Sequence, residues 1–122
     1  MCGITAISTK KEALPFLLQG LEKLEYRGYD SAGVTILSQN QLKTIKTKGR
    51  LKDLKEALSH QVLKGQVGIG HTRWATHGIP SNLNSHPHTN EDETISIVHN
   101  GIIENYRELK NFLLEKGYHF HS

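Results

Sequence analysis

Cysteine is almost missing from this chain: among 122 residues a thiol occurs once, at Cys2. No internal disulfide framework can form, and a reducing, cytoplasmic setting is expected. No apolar run approaches the ~20 residues that a membrane span requires. The start lacks the basic and apolar regions of a signal peptide. No glycine-rich loop carries a strand into a helix, which argues against a dinucleotide or nucleoside triphosphate site. Neither a Cys-x-x-Cys nor a His-Glu-x-x-His pattern is present to suggest a zinc centre. The net charge is +3, and much of the basic excess lies in Lys43, Lys46, Lys48, Arg50, Lys52 and Lys55. Asp53 and Glu56 interrupt that stretch, and no aromatic side chain offers a base a stacking surface. It reads as a solvated strand edge running into a helix, so no nucleic-acid partner and no membrane partner are expected.

What is present fits one globular domain with a modest core: 36% hydrophobic and 22% charged residues. Residues Gly3 to Ser8 form a short apolar strand. Ala13, Phe16, Leu17, Leu21 and Leu24 recur at helical spacing, and a helix from near Lys11 leaves Pro15 early enough to be tolerated. Ala32 to Leu37 and Leu42 to Thr47 flank a turn and predict a hairpin. Leu51, Leu54, Ala57 and Leu58 mark a short helix, and Val67 to His71 a short strand. Arg73 to Glu93 is a long polar loop of the kind that carries function. Thr94 to His99 predicts a strand ending at Asn100-Gly101. A last helix from near Asn105 to Gly117 turns Leu109, Phe112 and Leu113 inward. The mixed order suits an α+β layer fold with a largely antiparallel sheet.

The chemistry-bearing residues each allow two readings. If Met1 is removed, Cys2 carries both a thiol and a free α-amine. That amine, with an ordinary pKa of ~7.7–8.0, can serve as the base that makes the thiolate. The plain alternative is a small buried hydrophobe. Asn100 and Gly101 supply a side-chain NH2 and a backbone N–H suited to an oxyanion, or are simply a turn. Arg73 has the fork that grips a carboxylate, with Trp74 able to close over a small polar substrate, or is a solvated cation beside a partly buried ring. His71, His77, His86, His88 and His99 fall in one stretch and raise metal binding. No carboxylate stands at ligand spacing, however, and hydrogen-bonding and packing roles fit them better.

Five ordered segments join these pieces: Met1-Cys2-Gly3-Ile4, Leu24 to Gly33 with Arg27-Gly28-Tyr29-Asp30 inside it, His71-Thr72-Arg73-Trp74-Ala75-Thr76-His77-Gly78, Asn84-Ser85-His86-Pro87-His88, and His99 to Asn105. In this order they closely resemble the glutaminase domain of class II glutamine amidotransferases, which are N-terminal nucleophile hydrolases. Tyr29 and Trp74 favour the members that aminate a sugar phosphate over the phosphoribosyl-pyrophosphate amidotransferases, which typically have Gln and Tyr there. The resemblance spans essentially the whole chain.

The resemblance implies an αββα sandwich of two antiparallel sheets, of which residues 1–122 would supply about half, as the N-terminal portion of a glutaminase domain with no second domain. Cys2 would be the nucleophile on L-glutamine, releasing ammonia and leaving a glutamyl thioester for water. Asn100 and Gly101 would form the oxyanion hole, and Arg27 would orient the catalytic end. Arg73 would hold the α-carboxylate, with Trp74, Thr76 and His77 on a loop that closes over the substrate. No cofactor and no metal are implied. In the full-length enzyme, expected as a homodimer, the ammonia would pass to a sugar-phosphate isomerase domain that converts fructose-6-phosphate to glucosamine-6-phosphate. The family's carboxylate for the substrate α-amine is an Asp lying beyond Ser122. This leaves a second expectation, a non-catalytic fragment that binds glutamine, glutamate or a partner without turnover.

Overall fold

The computed structural model describes residues 2–74, 79 and 81–121, with the side chain of Arg27 outside the description. Thr76 and His77, two of the expected pocket residues, therefore lie outside the described residues. Four strands form one antiparallel sheet in the order β1-β4-β2-β3, with β1 Gly3–Ser8, β2 Ser31–Ser38, β3 Gln41–Lys48 and β4 Val67–Arg73. The two central strands, β4 and β2, come from distant parts of the chain, and β1 lies against β4 with Gly3 opposite Thr72 and Ile4 opposite His71. The hairpin β2–β3 turns at Gln39 and Asn40, both at positive φ, where a tight connection needs the left-handed region.

Two helices cover one face. α1, Ala13–Leu24, begins two residues later than its apolar spacing predicts. The Glu12 side chain accepts from the Gly65 N–H, and Pro15 falls in the first turn, where its missing N–H has no helical partner to lose. α2, Leu51–Ser59, starts where the Asp53 carboxylate accepts from the Arg50 N–H at 2.8 Å. Leu17 and Leu21 of α1 and Leu51, Leu54 and Leu58 of α2 pack on Ala32, Val34 and Ile36 of β2. Residues opposite one another in register share a face, so Gly68 and Gly70 of β4 stand beside Ile36 and Val34. A Cβ at Gly68 would lie 2.8 Å from Leu17, and one at Gly70 3.4 Å from Leu21. The missing side chains let α1 close on the sheet.

Side chains alternate along a strand, so the opposite face carries Ile4, Gly33, Thr35, Thr44, Lys46, His71 and Arg73. This face is polar, and the segment from Ser81 onward lies across it. Gly33 permits that approach: a Cβ there would fall 2.2 Å from the His86 carbonyl oxygen. Lys46 Nζ donates to the carbonyls of Leu83, Ser85 and Pro87 at 3.2, 2.9 and 3.3 Å. A hydroxyl chain joins Ser96 to Thr35 at 2.8 Å and Thr35 to Thr44 at 2.7 Å.

Two expectations change here. The predicted strand Thr94 to His99 shrinks to β6, Ser96–Ile97, paired with β5, His88–Thr89, in a two-stranded sheet. The Asn90 side chain takes up the backbone N–H groups of Thr94 and Ile95, ending the ladder in a turn. The last helix, α3 Tyr106–Glu115, forms as predicted, but none of its residues is buried. Leu109 and Phe112, expected inward, are exposed, because no described layer packs on that face. Among the described residues no helix is long and apolar enough to cross a membrane.

Candidate active site

Cys2 immediately precedes β1, and the β1–β4 register carries on past Gly3–Thr72 to bring it beside the end of β4. The Trp74 backbone N–H donates to Cys2 Sγ at 3.4 Å, and the thiol approaches the Trp74 carbonyl at 3.7 Å. Gly3 faces the helices, since a Cβ there would meet Leu24. Cys2 therefore faces the polar side with Ile4, His71 and Arg73. Alternation along two paired strand ends thus delivers a thiol, an imidazole and a guanidinium to one place.

Arg73 closes β4 and is buried, 7% exposed, so its charge is spent inside the site rather than in solvent. Its carbonyl accepts from the Asp30 N–H at 2.7 Å, which ties the Arg27–Asp30 segment to the site. Arg27 ends the short 3-10 turn Glu25–Arg27, and Gly28 follows at φ 76° with the Trp74 ring 3.8 Å from where a Cβ would stand. An L side chain there would be strained by the positive φ, while its Cβ would sit in ordinary contact with the indole. Tyr29 pins this loop to α2: its hydroxyl accepts from the Leu51 N–H at 2.5 Å and donates to Glu25 at 3.0 Å.

Asn100 reaches Cys2 from 98 positions away: its Nδ2 donates to the Cys2 carbonyl at 3.3 Å. Its Oδ1 lies 2.6 Å from His71 Nε2. Gly101 lines the cavity beside Cys2, with the His99 imidazole 3.1 Å from the place a Cβ would take. The Asn100 NH2 therefore reaches the Cys2 main chain, and Gly101 shares a cavity wall with Cys2. That cavity measures about 840 Å³ and is lined by Cys2, Arg73, Trp74, His86, His88 and residues of α3, among others.

Three histidines pack together here, of which His86 and His88 line the cavity. His71 is fully buried and stacks on His86 at 4.3 Å, and His86 meets His88 edge-on at 4.4 Å. Burial, chiefly, lowers all three below the ordinary imidazole range: His86 to about 3 and His88 to about 4. For His71 the bond to Asn100 opposes burial and the Arg73 charge adds to it. Lys46, which lines the same cavity, is lowered by burial. The rings pack against one another instead of converging on a point, and among the described residues no group of three His, Cys, Asp or Glu side chains is arranged to hold a metal.

The structure thus brings together Cys2, Arg73, Trp74, Asn100 and Gly101, and the backbone of Arg27 lies in the adjoining turn. The sequence reading put Lys46 on a solvated strand edge, whereas it is partly buried under the Leu83, Ser85 and Pro87 carbonyls; the only signal of this was its place opposite Gly33 in the hairpin. It passed over the link from His71 to Asn100, for which the signal was that His71 and Arg73 stand two apart on one strand.

Comparison with known proteins agrees with this geometry. Residues 44–122 match the glutamine amidotransferase domain family. The chain is 60% identical over 122 residues to a glutamine–fructose-6-phosphate aminotransferase (isomerizing) of Clostridium perfringens, 61% to one of Clostridium tetani and 52% to one of Thermus thermophilus. Each match covers all of this chain and 20% of the relative, so the chain spans about a fifth of the length of these curated relatives. Among solved structures, a glutamine phosphoribosylpyrophosphate amidotransferase from B. subtilis aligns with TM-score 0.77. A structure titled as the allosteric regulatory enzyme of purine biosynthesis aligns with TM-score 0.81. Both are 27% identical, over 98% of this chain and 26% of theirs. The α+β fold is therefore that of the N-terminal nucleophile amidotransferases.

Proposed function

The chain belongs to the glutamine amidotransferase domain family, and from that premise we propose that residues 1–122 are the N-terminal portion of a glutaminase unit whose nucleophile is Cys2. The observation that carries the reading is the Asn100 amide, which meets the Cys2 main chain from the far end of the sequence.

Removal of Met1 frees the Cys2 α-amine, which takes the thiol proton as the sulfur attacks the side-chain amide carbon of L-glutamine. The Trp74 N–H, directed at Sγ, favours the sulfur as it becomes anionic. Charge then develops on the amide oxygen. Asn100 has two N–H groups on Nδ2, one engaged by the Cys2 carbonyl and the second available to that oxygen, with the Gly101 N–H as the other donor. The α-amine returns its proton to the leaving nitrogen, ammonia departs, and a glutamyl thioester remains. Water, activated by the same amine, releases glutamate and restores the thiol. Arg73 holds the α-carboxylate in bidentate fashion, Trp74 covers the substrate, and Thr76 and His77 complete the closing loop. Arg27 orients the catalytic end.

α3 borders the cavity through Tyr106, Lys110 and Leu113 and leaves Leu109, Phe112 and Leu114 exposed, which favours activity in a longer protein whose further layer closes the site. We assign the ammonia to amination of fructose-6-phosphate, giving glucosamine-6-phosphate, on a sugar-phosphate isomerase domain of that homodimeric protein. We assign it to a reducing, cytoplasmic setting, a reading the single free thiol supports.

Glutamine hydrolysis by the full-length protein, assayed as glutamate formed, tests the reading. Wild type turns over and Cys2→Ala does not; intact mass shows Met1 absent. Retained turnover in Cys2→Ala, or an active enzyme that keeps Met1, overturns it.

A further inference from the structure

Asn100 presents two different ends, and which one faces the nucleophile decides whether it can stabilise an anion. The Cys2 carbonyl can only accept a hydrogen bond, so the Asn100 group 3.3 Å from it is the NH2. The Oδ1 must then face the other way, and there it meets His71 Nε2 at 2.6 Å. An amide oxygen can only accept, so His71 Nε2 carries the hydrogen. Nδ1 is left as the bare nitrogen. It is buried without a hydrogen-bond partner among the described residues, which suits a lone pair and would strand an N–H. The tautomer of His71 thus follows from elimination around one amide.

We propose that His71 is the positioning residue of the oxyanion donor: by donating Nε2–H to Asn100 Oδ1 it fixes the rotation of that side-chain amide, so that the NH2 is held toward Cys2. This rests on the glutaminase reading and adds to it a residue that never touches substrate. An amide that flips would present its oxygen to a developing anion, turning stabilisation into repulsion. Asn100 is itself exposed and sits in a bend, so among the described residues no packing layer locks its rotation. The lock comes from below, from an imidazole that is fully buried on the central strand β4.

The imidazole is fixed in turn. His71 stands opposite Ile4 of β1 and opposite Gly33 of β2, and the absent Gly33 side chain leaves room for the His86 main chain over the sheet. The His86 ring stacks on His71 with 30° between planes. Burial and the nearby Arg73 charge keep His71 neutral at working pH, so one nitrogen stays without a proton and the other keeps it. A neutral imidazole with a fixed donor is what an amide oxygen needs beside it.

The test uses glutamine hydrolysis by the full-length protein. Wild type, His71→Leu, His71→Gln, Asn100→Ala and the His71→Leu/Asn100→Ala double variant are compared, with Cys2→Ala as the reference for the underlying reading. Gln places an N–H near the position of His Nε2, and Leu places none. His71→Leu is expected to lower kcat by about 10- to 100-fold, a loss of the size seen when an oxyanion donor is compromised, with KM for glutamine changed less than about threefold. His71→Gln recovers most of that loss. In the Asn100→Ala background, His71→Leu costs nothing further, because the amide it would position is gone. Alkylation of Cys2 by iodoacetamide proceeds at the wild-type rate in both single His71 variants, which shows the thiol side of the site intact.

Three results overturn the proposal while leaving the glutaminase reading standing. They are an unchanged kcat in His71→Leu, a loss expressed in KM instead of kcat, and a full additional loss in the double variant. If His71→Leu fails to fold, His71→Gln decides alone: a folded, alkylatable His71→Gln with kcat no better than Asn100→Ala refutes the donor role. Turnover that survives Cys2→Ala defeats the glutaminase reading itself.

Discussion

Cys2 and Trp74 meet through the main chain of Trp74: its N–H donates to Sγ at 3.4 Å and its carbonyl lies 3.7 Å from the same sulfur. The indole is half-exposed and does other work, resting beside Gly28. The two contacts favour opposite forms of the sulfur. The carbonyl accepts from a thiol, and the N–H donates to a thiolate.

Removing the N–H alone should therefore slow reaction at Cys2. Trp74→Pro deletes that donor, and proline's demand that the preceding residue be extended suits Arg73, which already ends a strand. Trp74→Ala deletes the indole and keeps the N–H. Alkylation of Cys2 by iodoacetamide is expected to be about fivefold slower in Trp74→Pro than in Trp74→Ala, matching about 1 kcal/mol for a partly exposed hydrogen bond to a charged group. Equal rates would show that this N–H does not favour the thiolate.

Gly33 is the point at which the sheet admits the segment carrying His86. A Cβ there would lie 2.2 Å from the His86 carbonyl oxygen and 2.8 Å from the Lys46 Cβ, and neither neighbour is the free end of a side chain. Gly33→Ala must push the Ser81–His88 segment off the sheet or deform β2. Overpacking of this kind costs about 1–3 kcal/mol. A lower urea midpoint with unchanged m-value, and faster proteolysis between Ser81 and Thr89, are expected. A variant as stable and as protease-resistant as wild type would show that the close approach is not needed.

The local elements were legible because periodicity reports them directly. Leu17 and Leu21 announced α1, the paired apolar runs around Asn40 announced the hairpin, and Gly3–Ser8 stood out as a strand. What periodicity cannot report is the partner. α3 has the spacing of an amphipathic helix, yet Leu109 and Phe112 are exposed, because spacing describes a face and says nothing about what covers it. The pairing of β1 with β4 joins residues from 59 (Ser8 with Val67) to 69 (Gly3 with Thr72) positions apart, and only that register places Cys2 beside Trp74. The family resemblance supplied the roles expected of Cys2, Arg73 and Asn100. It did not supply Lys46 beneath the Leu83–Pro87 carbonyls or His71 behind Asn100, since each depends on a three-dimensional neighbour with no pattern in the sequence.

The buried imidazoles make the fold sensitive to acid with a definite sign. Burial, reinforced by positive neighbours among Lys46, Arg73 and the histidines themselves, holds His86 at about 3 and His88 at about 4, and His71 is lowered as well. In the unfolded chain each titrates near its ordinary value of 6.5. Between the folded and unfolded values the unfolded chain binds more protons, so unfolding becomes easier as protons become available. The contribution is fully present above about pH 6.5 and is lost progressively as pH falls toward 4 and then 3. Urea midpoints measured from pH 7.5 down to pH 4 should fall, and the fall should be shallower in His86→Phe, which keeps an aromatic ring against His71 and has no nitrogen to protonate. The comparison is of slopes, because the substitution can also raise or lower stability at every pH. Carboxylates contribute the same background slope to both proteins, so the difference isolates the imidazole. Parallel curves for wild type and His86→Phe would show that His86 is not held neutral in the folded chain.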